Sequence, residues 1–150
     1  KRQGWTLRDL FRRKLIEVLF EGKPEAEEKL DAAAESFFSS RAAQRKLLSI
    51  PADPEQAAAL ATVYYSDALG EVKVKRDGER VTFSFGEWQA DVASKANPDG
   101  TVSFVTITPG IDGVEMVVGP KKDGARTLIF RDAQHEYVFE EVMSEATSGR

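Results

Sequence analysis

The sequence has no cysteine, one histidine, two tryptophans and two methionines in 150 residues. Without cysteine there are no disulfides, no thiolate nucleophile and no thiolate-bound metal, and the redox compartment has no reading. A single imidazole, His135, excludes multi-histidine metal centres. No run approaches the roughly 18 apolar residues of a membrane span, and no signal-peptide pattern is present. Lys and Arg number 21 against 25 Asp and Glu, a net charge of −4. A chain of this balance lacks the concentrated basic face that nucleic-acid phosphates reward, so no nucleic-acid partner is expected. The nucleotide-binding glycine loops, the G-x-S-x-G nucleophile elbow, the H-E-x-x-H zinc helix and the calcium loop are all missing. Neither a cofactor nor a metal ion is expected.

What is present is alternation. Ala68 to Phe85 places Val72 and Val74 before Arg76-Asp77-Gly78-Glu79, and Val81, Phe83 and Phe85 after it, with charged or hydroxyl residues between. Strand side chains change face with a period of two, so this stretch predicts two half-buried strands joined by a tight turn at Asp77-Gly78. Trp88, Ala90 and Val92 continue on even numbers after the odd-numbered Val81, Phe83 and Phe85, so Gly86-Glu87 must hold a bulge or a tight turn. Asn97-Pro98-Asp99-Gly100, Pro109 to Gly113 and Gly119 to Gly124 predict further turns. Val102 to Thr108 has apolar residues of both parities and is expected to be bulged or covered on both faces. His135, Tyr137 and Phe139 close the series. Seven or eight short strands at hairpin spacing predict an antiparallel barrel.

The chain before it is helical. Thr6 is expected to cap a first helix carrying Leu7, Leu10, Phe11, Leu15, Val18 and Leu19 on one side and Arg8, Arg12, Arg13 and Lys14 on the other. Gly22 and Pro24 end it. A second helix is expected from Pro24 to about Leu48, with Arg45 and Lys46 at its C-terminal end. Asp53-Pro54-Glu55-Gln56 is a strong start for a short third helix over 55–62: Asp as cap, Pro in the first position, Gln three residues after the cap. The expected organisation is α+β, with a helical segment over 1–52 and a barrel domain over 53–150.

Candidate chemistry is sparse. His135 has Asp132 nearby in sequence, but a histidine alternating with Tyr137 and Phe139 fits a packed strand residue better than a catalytic one. Trp88 fits a core residue or a stacking platform. Tyr65, beside Tyr64, fits barrel closure or the mouth. Glu140 and Glu141 point to opposite faces of a strand and cannot share a proton. Tyr65, Trp88 and His135 are therefore the candidate ligand or domain contacts, with no catalytic assignment.

The run Tyr65-Ser66-Asp67-Ala68-Leu69-Gly70-Glu71-Val72-Lys73-Val74 resembles the opening of the C-terminal lipocalin-like domain of serine beta-lactamase-related hydrolases, the penicillin-binding-protein-like, class C type group. Phe85-Gly86-Glu87-Trp88, Asp99 to Phe104 and Arg131 to Tyr137 are similar to the same domain. The resemblance covers about Ala59 to Glu141. It implies a lipocalin-like barrel of seven or eight strands that packs on a catalytic domain and shapes substrate access or oligomer contacts. The group's Ser-x-x-Lys motif is absent, since no serine here has Lys at the third following position. Tyr64-Tyr65-Ser66 matches Tyr-x-Ser only in form. The resemblance thus implies a noncatalytic piece whose nucleophile lies upstream of Lys1, in a cytoplasmic or a periplasmic or secreted parent hydrolase.

Two partners follow from this reading: the catalytic domain of the same parent chain, and a second copy of the chain through helix 7–20. The helix's apolar face needs cover, from the barrel or another chain. The turns at Arg76 to Glu79, Asn97 to Gly100 and Pro109 to Gly113 are the parts able to reach a neighbouring domain. The competing reading is a small-molecule carrier, since a barrel of eight strands can enclose one apolar ligand.

Overall fold

The computed structural model describes residues 2–20 and 25–142, with side chains for 8–20 and 26–142. It divides into two compact units, 1–46 and 47–150.

The first unit is a pair of helices, α1 (Arg2–Leu19) and α2 (Glu25–Arg45). α1 already runs through Thr6, which is therefore an interior residue and not the expected cap. The expected stop at Gly22 and Pro24 and the side chain of Leu7 lie outside the described residues. Polar groups link the two helices beside the half-buried Leu10, Leu30, Ala33, Ala34 and Phe37. Lys14 Nζ donates to Glu27 Oε2 at 2.9 Å, and the Ala26 N–H donates to Glu17 Oε1 at 2.9 Å. The Glu17 carboxylate thus satisfies one of the N–H groups that the first turn of α2 leaves without an intrahelical partner. The apolar stripe lies elsewhere: Phe11, Leu15, Val18 and Leu19 are exposed, Phe11 at 69% and Val18 at 66%, while Leu10 is half-buried.

The second unit begins six residues earlier than the sequence boundary, at Leu47. The physical reason is a strand-like contact: the Ser49 N–H donates to the Ser94 carbonyl at 2.8 Å. α3 (Pro54–Ala59) then starts where the Asp-Pro-Glu-Gln pattern places it. The Asp53 carboxylate accepts from the Glu55 and Gln56 N–H groups at 3.1 and 3.0 Å, and Pro54 fills the first position, where its missing N–H costs nothing.

Eight strands follow: β1 (Val63–Ser66), β2 (Gly70–Asp77), β3 (Arg80–Phe85), β4 (Trp88–Ala96), β5 (Val102–Thr106), β6 (Glu115–Lys122), β7 (Ala125–Arg131) and β8 (Glu136–Glu141). Each pairs antiparallel with the next, and β8 pairs back with β1, which closes a lipocalin-like barrel. The parity slip after Phe85 is a two-residue turn. Phe85 pairs with Trp88, and Gly86 takes a φ of +77° that a side chain would oppose. β5 is covered on both faces, as its mixed pattern requires: Ser103, Phe104, Val105 and Thr106 are all buried. Several boundaries differ from expectation: α2 ends at Arg45 and not near Leu48, α3 ends at Ala59 and not at Thr62, and β5 ends at Thr106 and not at Thr108. Gly119 to Lys122 continues β6, and the turn is confined to Asp123-Gly124. The register shifts between Gly119 and Lys122, where the Thr127 hydroxyl donates to the Pro120 carbonyl at 2.8 Å, so the predicted turn residues form an irregular strand end.

The core sits inside the barrel. Tyr64, Val72, Val74, Val81, Phe83, Val92, Phe104, Met116, Leu128 and Phe139 form one contiguous buried cluster with Ala52, Ala57, Leu60 and Ala61. Those last residues belong to α3 and its flanks, so the helix plugs one end. Arg76 fastens the plug, with Nε donating to the Ala57 carbonyl at 2.8 Å and Nη2 to that of Leu60 at 2.5 Å. A guanidinium is well matched to the free carbonyls and negative dipole of a helix C-terminus.

Candidate functional site

The three candidate contact residues are not brought together. Tyr65 is half exposed on β1, and it alternates with the buried Tyr64 and Ser66, so it faces outward. Trp88 is on the inward phase of β4 but at its very start. Its ring stacks on Phe85 with centroids 4.0 Å apart and planes within 15°. One face of the indole is thereby covered, and the residue remains 41% exposed at the end opposite the α3 plug. His135 lies just outside β8, in the turn from β7, with its ring 5.9 Å from Tyr137. Its Nδ1 is 3.8 Å from Asp132 Oδ1. That same oxygen accepts from the Gln134 and His135 backbone N–H groups at 2.8 and 2.7 Å and so shapes the turn.

The inside of the barrel leaves its aromatic groups in mutual contact. Phe83 lies 5.9 Å from Phe104 and 6.3 Å from Phe85, and Phe130 stacks with Tyr137 at 6.0 Å. Tyr64 is buried, and its phenol oxygen accepts from the Ala61 N–H at 2.8 Å. Burial pushes the Tyr64 phenol up, against the lowering effect of the Ala61 bond and the nearby Arg126. The residue that matched Tyr-x-Ser in form is a neutral strut beneath α3.

One concavity lies on the outer surface, and sequence reasoning singled out only its turn. A half-open groove of about 450 Å³ is lined by Asn97, Pro98, Asp99, Thr101, Glu115, Val117 and Arg131. Glu115, Val117 and Arg131 alternate with the inward Met116 and Phe130, so they face out. Across the groove stands the β4–β5 turn, and a chain of hydrogen bonds fixes it. Asn97 Nδ2 donates to Thr101 Oγ1 at 2.9 Å and to Ser103 Oγ at 2.7 Å. Thr101 Oγ1 donates to Asp99 Oδ1 at 2.7 Å, and the Ser103 hydroxyl bonds the Glu115 carboxylate. Lys95 Nζ reaches Glu115 Oε1 at 2.7 Å, and Arg131 Nε reaches Glu136 Oε2 at 2.6 Å.

Both groove carboxylates are held ionised. The Thr101 hydroxyl, then its N–H, keep Asp99 below the usual carboxylate range, with help from the charge of Arg131. Burial pushes Glu115 up, but hydrogen bonds from Lys95 and Ser103 outweigh it and the net direction is down. No signal of period or motif joins Asn97, Glu115 and Arg131 in the sequence, because one turn and two different strands carry them.

Among the described residues, no His, Asp and Glu side chains form a group of three or more suited to holding a metal ion, and no helix is long and apolar enough to cross a membrane. Comparison with protein-family models, with curated proteins and with solved structures finds no match for this chain.

Proposed function

We propose that this chain is a noncatalytic accessory domain of a serine beta-lactamase-related hydrolase, which packs on the catalytic domain and shapes substrate access or oligomer contacts. The observation that carries the reading is the barrel's interior. It is one packed cluster of buried side chains, closed at one end by α3, as expected of a barrel that acts through its outside. The resemblance over 59–141 supplies the kind of parent, and the exposed stripe of Phe11, Leu15, Val18 and Leu19 supplies a surface in want of a neighbour. The catalytic domain of the parent chain is the first candidate for that neighbour, and a second copy through helix 7–20 is the other.

The carrier reading requires a ligand to sit where Phe83, Phe104 and Phe139 already are. Reading the gene upstream of Lys1 separates the two. A Ser-x-x-Lys motif there, with ester or lactam hydrolysis by the longer protein and none by this chain, is the expected result. A native start within a few residues of Lys1 would end the hydrolase reading and turn attention to ligand screening.

A further inference from the structure

The outer groove has an unusual balance of donors and acceptors. Its wall is a continuous chain that runs from Asp99 through Thr101, Asn97 and Ser103 to Glu115. Asn97 Nδ2 has two hydrogens and both are given away within the wall. The two hydroxyl hydrogens go to the carboxylates at either end. The wall therefore offers a ligand no side-chain donor. It offers the remaining carboxylate lone pairs of Asp99 and Glu115. The donor on the opposite side is the guanidinium of Arg131, which meets Glu136 through Nε.

Glu115 and Arg131 are also set against each other. Met116 pairs with Phe130, so the next step of the same register places Glu115 beside Arg131 on the outer face. Cross-strand neighbours of this kind lie about 5 Å apart. Opposite charges at that spacing ordinarily pair, yet each is drawn to a third residue, Glu115 to Lys95 and Arg131 to Glu136. An anionic acceptor and a cationic donor thus stand side by side, each held from its far side, with Val117 as an apolar floor two residues along the strand.

We propose that this groove binds a free α-amino acid with an apolar side chain. The ligand's ammonium meets Glu115 and Asp99, its carboxylate meets two guanidinium N–H groups of Arg131, and its side chain covers Val117. An α-amino acid carries its two charges on one carbon, which suits charges on adjacent strands. The volume of about 450 Å³ is within the range of small-molecule sites. The inference goes beyond the accessory-domain reading and does not depend on it.

The test is a titration of the full chain with L-leucine, followed by backbone amide NMR. Saturable shifts confined to Asn97–Thr101, Glu115–Val117 and Arg131 are expected, with a Kd in the millimolar range, about the affinity of a single charge-matched contact set. Leucinamide, which lacks the carboxylate, and 4-methylpentanoate, which lacks the amine, should each bind at least about tenfold more weakly. Arg131→Gln should weaken leucine by a similar factor and should not weaken leucinamide. No saturable shift at about 20 mM leucine, or equal binding of all three compounds, would overturn the proposal. The comparison of the three compounds on the unaltered chain decides the matter even if the substituted chain folds poorly.

Discussion

The two units treat apolar residues in opposite ways. In the barrel, alternation drives every second side chain of each strand inward, and large residues such as Phe83, Phe104, Leu128 and Phe139 are at most 2% exposed. In the helical pair, Leu10 on α1 and Ala26, Leu30, Ala33, Ala34 and Phe37 on α2 are buried or half-buried, with the Lys14–Glu27 and Glu17–Ala26 bonds beside them, while Phe11, Leu15, Val18 and Leu19 stand in solvent. One unit satisfies its own hydrophobic demand. The other satisfies only part of its own and leaves most of the α1 stripe uncovered. The lesson is that amphipathicity alone does not say which flank of an apolar face meets its neighbour in the chain. Here it is the edge at Leu10, in line with Lys14 and Glu17.

The sharpest way to break that contrast is to hollow out the barrel. Phe104→Ala removes a fully buried ring that touches Phe83, and should cost about 3–5 kcal/mol in urea denaturation. A loss under about 1 kcal/mol would mean that the interior is loosely filled and would favour the carrier. Gly119→Ala is expected to come next, at about 1–3 kcal/mol. A β-carbon there would collide with the Thr127 hydroxyl and come within 2.9 Å of Ile129 Cδ1. The Thr127 bond to Pro120, which fixes the irregular end of β6, would have to give.

Acid should weaken the barrel by a smaller amount. The Asp91 carboxyl is held below its usual range, first by the bidentate Arg80 and then by Thr82, with burial opposing. Asp99 and Glu115 are displaced in the same direction. A carboxyl with a depressed folded-state pKa leaves the unfolded chain binding more protons as pH falls. Stability from these groups is thus complete above about pH 5 and declines as pH drops through about 4 and below. Denaturation midpoints that stay level from pH 6 to pH 3 would contradict this. The smallest effect is reserved for the stripe: Phe11→Ser should shift the stability of the barrel by less than about 0.5 kcal/mol. In a parent hydrolase of the kind proposed above, the same change should loosen whatever contact covers α1.

Much of the barrel is legible in the sequence because its rule is local. A period of two needs only neighbours, and the parity change from Phe85 to Trp88 announces a turn before any contact is known. Asp53-Pro54 announces α3 for the same reason. What is illegible depends on residues far apart in the chain. Nothing near Gly119 says that Thr127 will bond Pro120 and keep the strand going to Lys122. Nothing near Ser49 says that it will pair with Ser94 and carry 47–52 into the barrel. The groove is the extreme case, since Asn97, Glu115 and Arg131 meet only after three hairpins have folded. Tyr65, Trp88 and His135 are legible as unusual residues, but their separation on outer wall, rim and turn is a property of the closed sheet.

Closure has a last consequence. The first strand pairs with the last, Tyr64 with Glu141 and Tyr65 with Glu140, and the Val142 N–H reaches back to the Val63 carbonyl at 3.0 Å. The circuit of strands therefore starts and ends at the same place, while residues 47–52 come in beside β4 through Ser49 and Ser94. With a linker that carries the end of β8 back to residue 47, new ends can be cut at Gly78-Glu79, between β2 and β3, without changing the order of strands around the barrel.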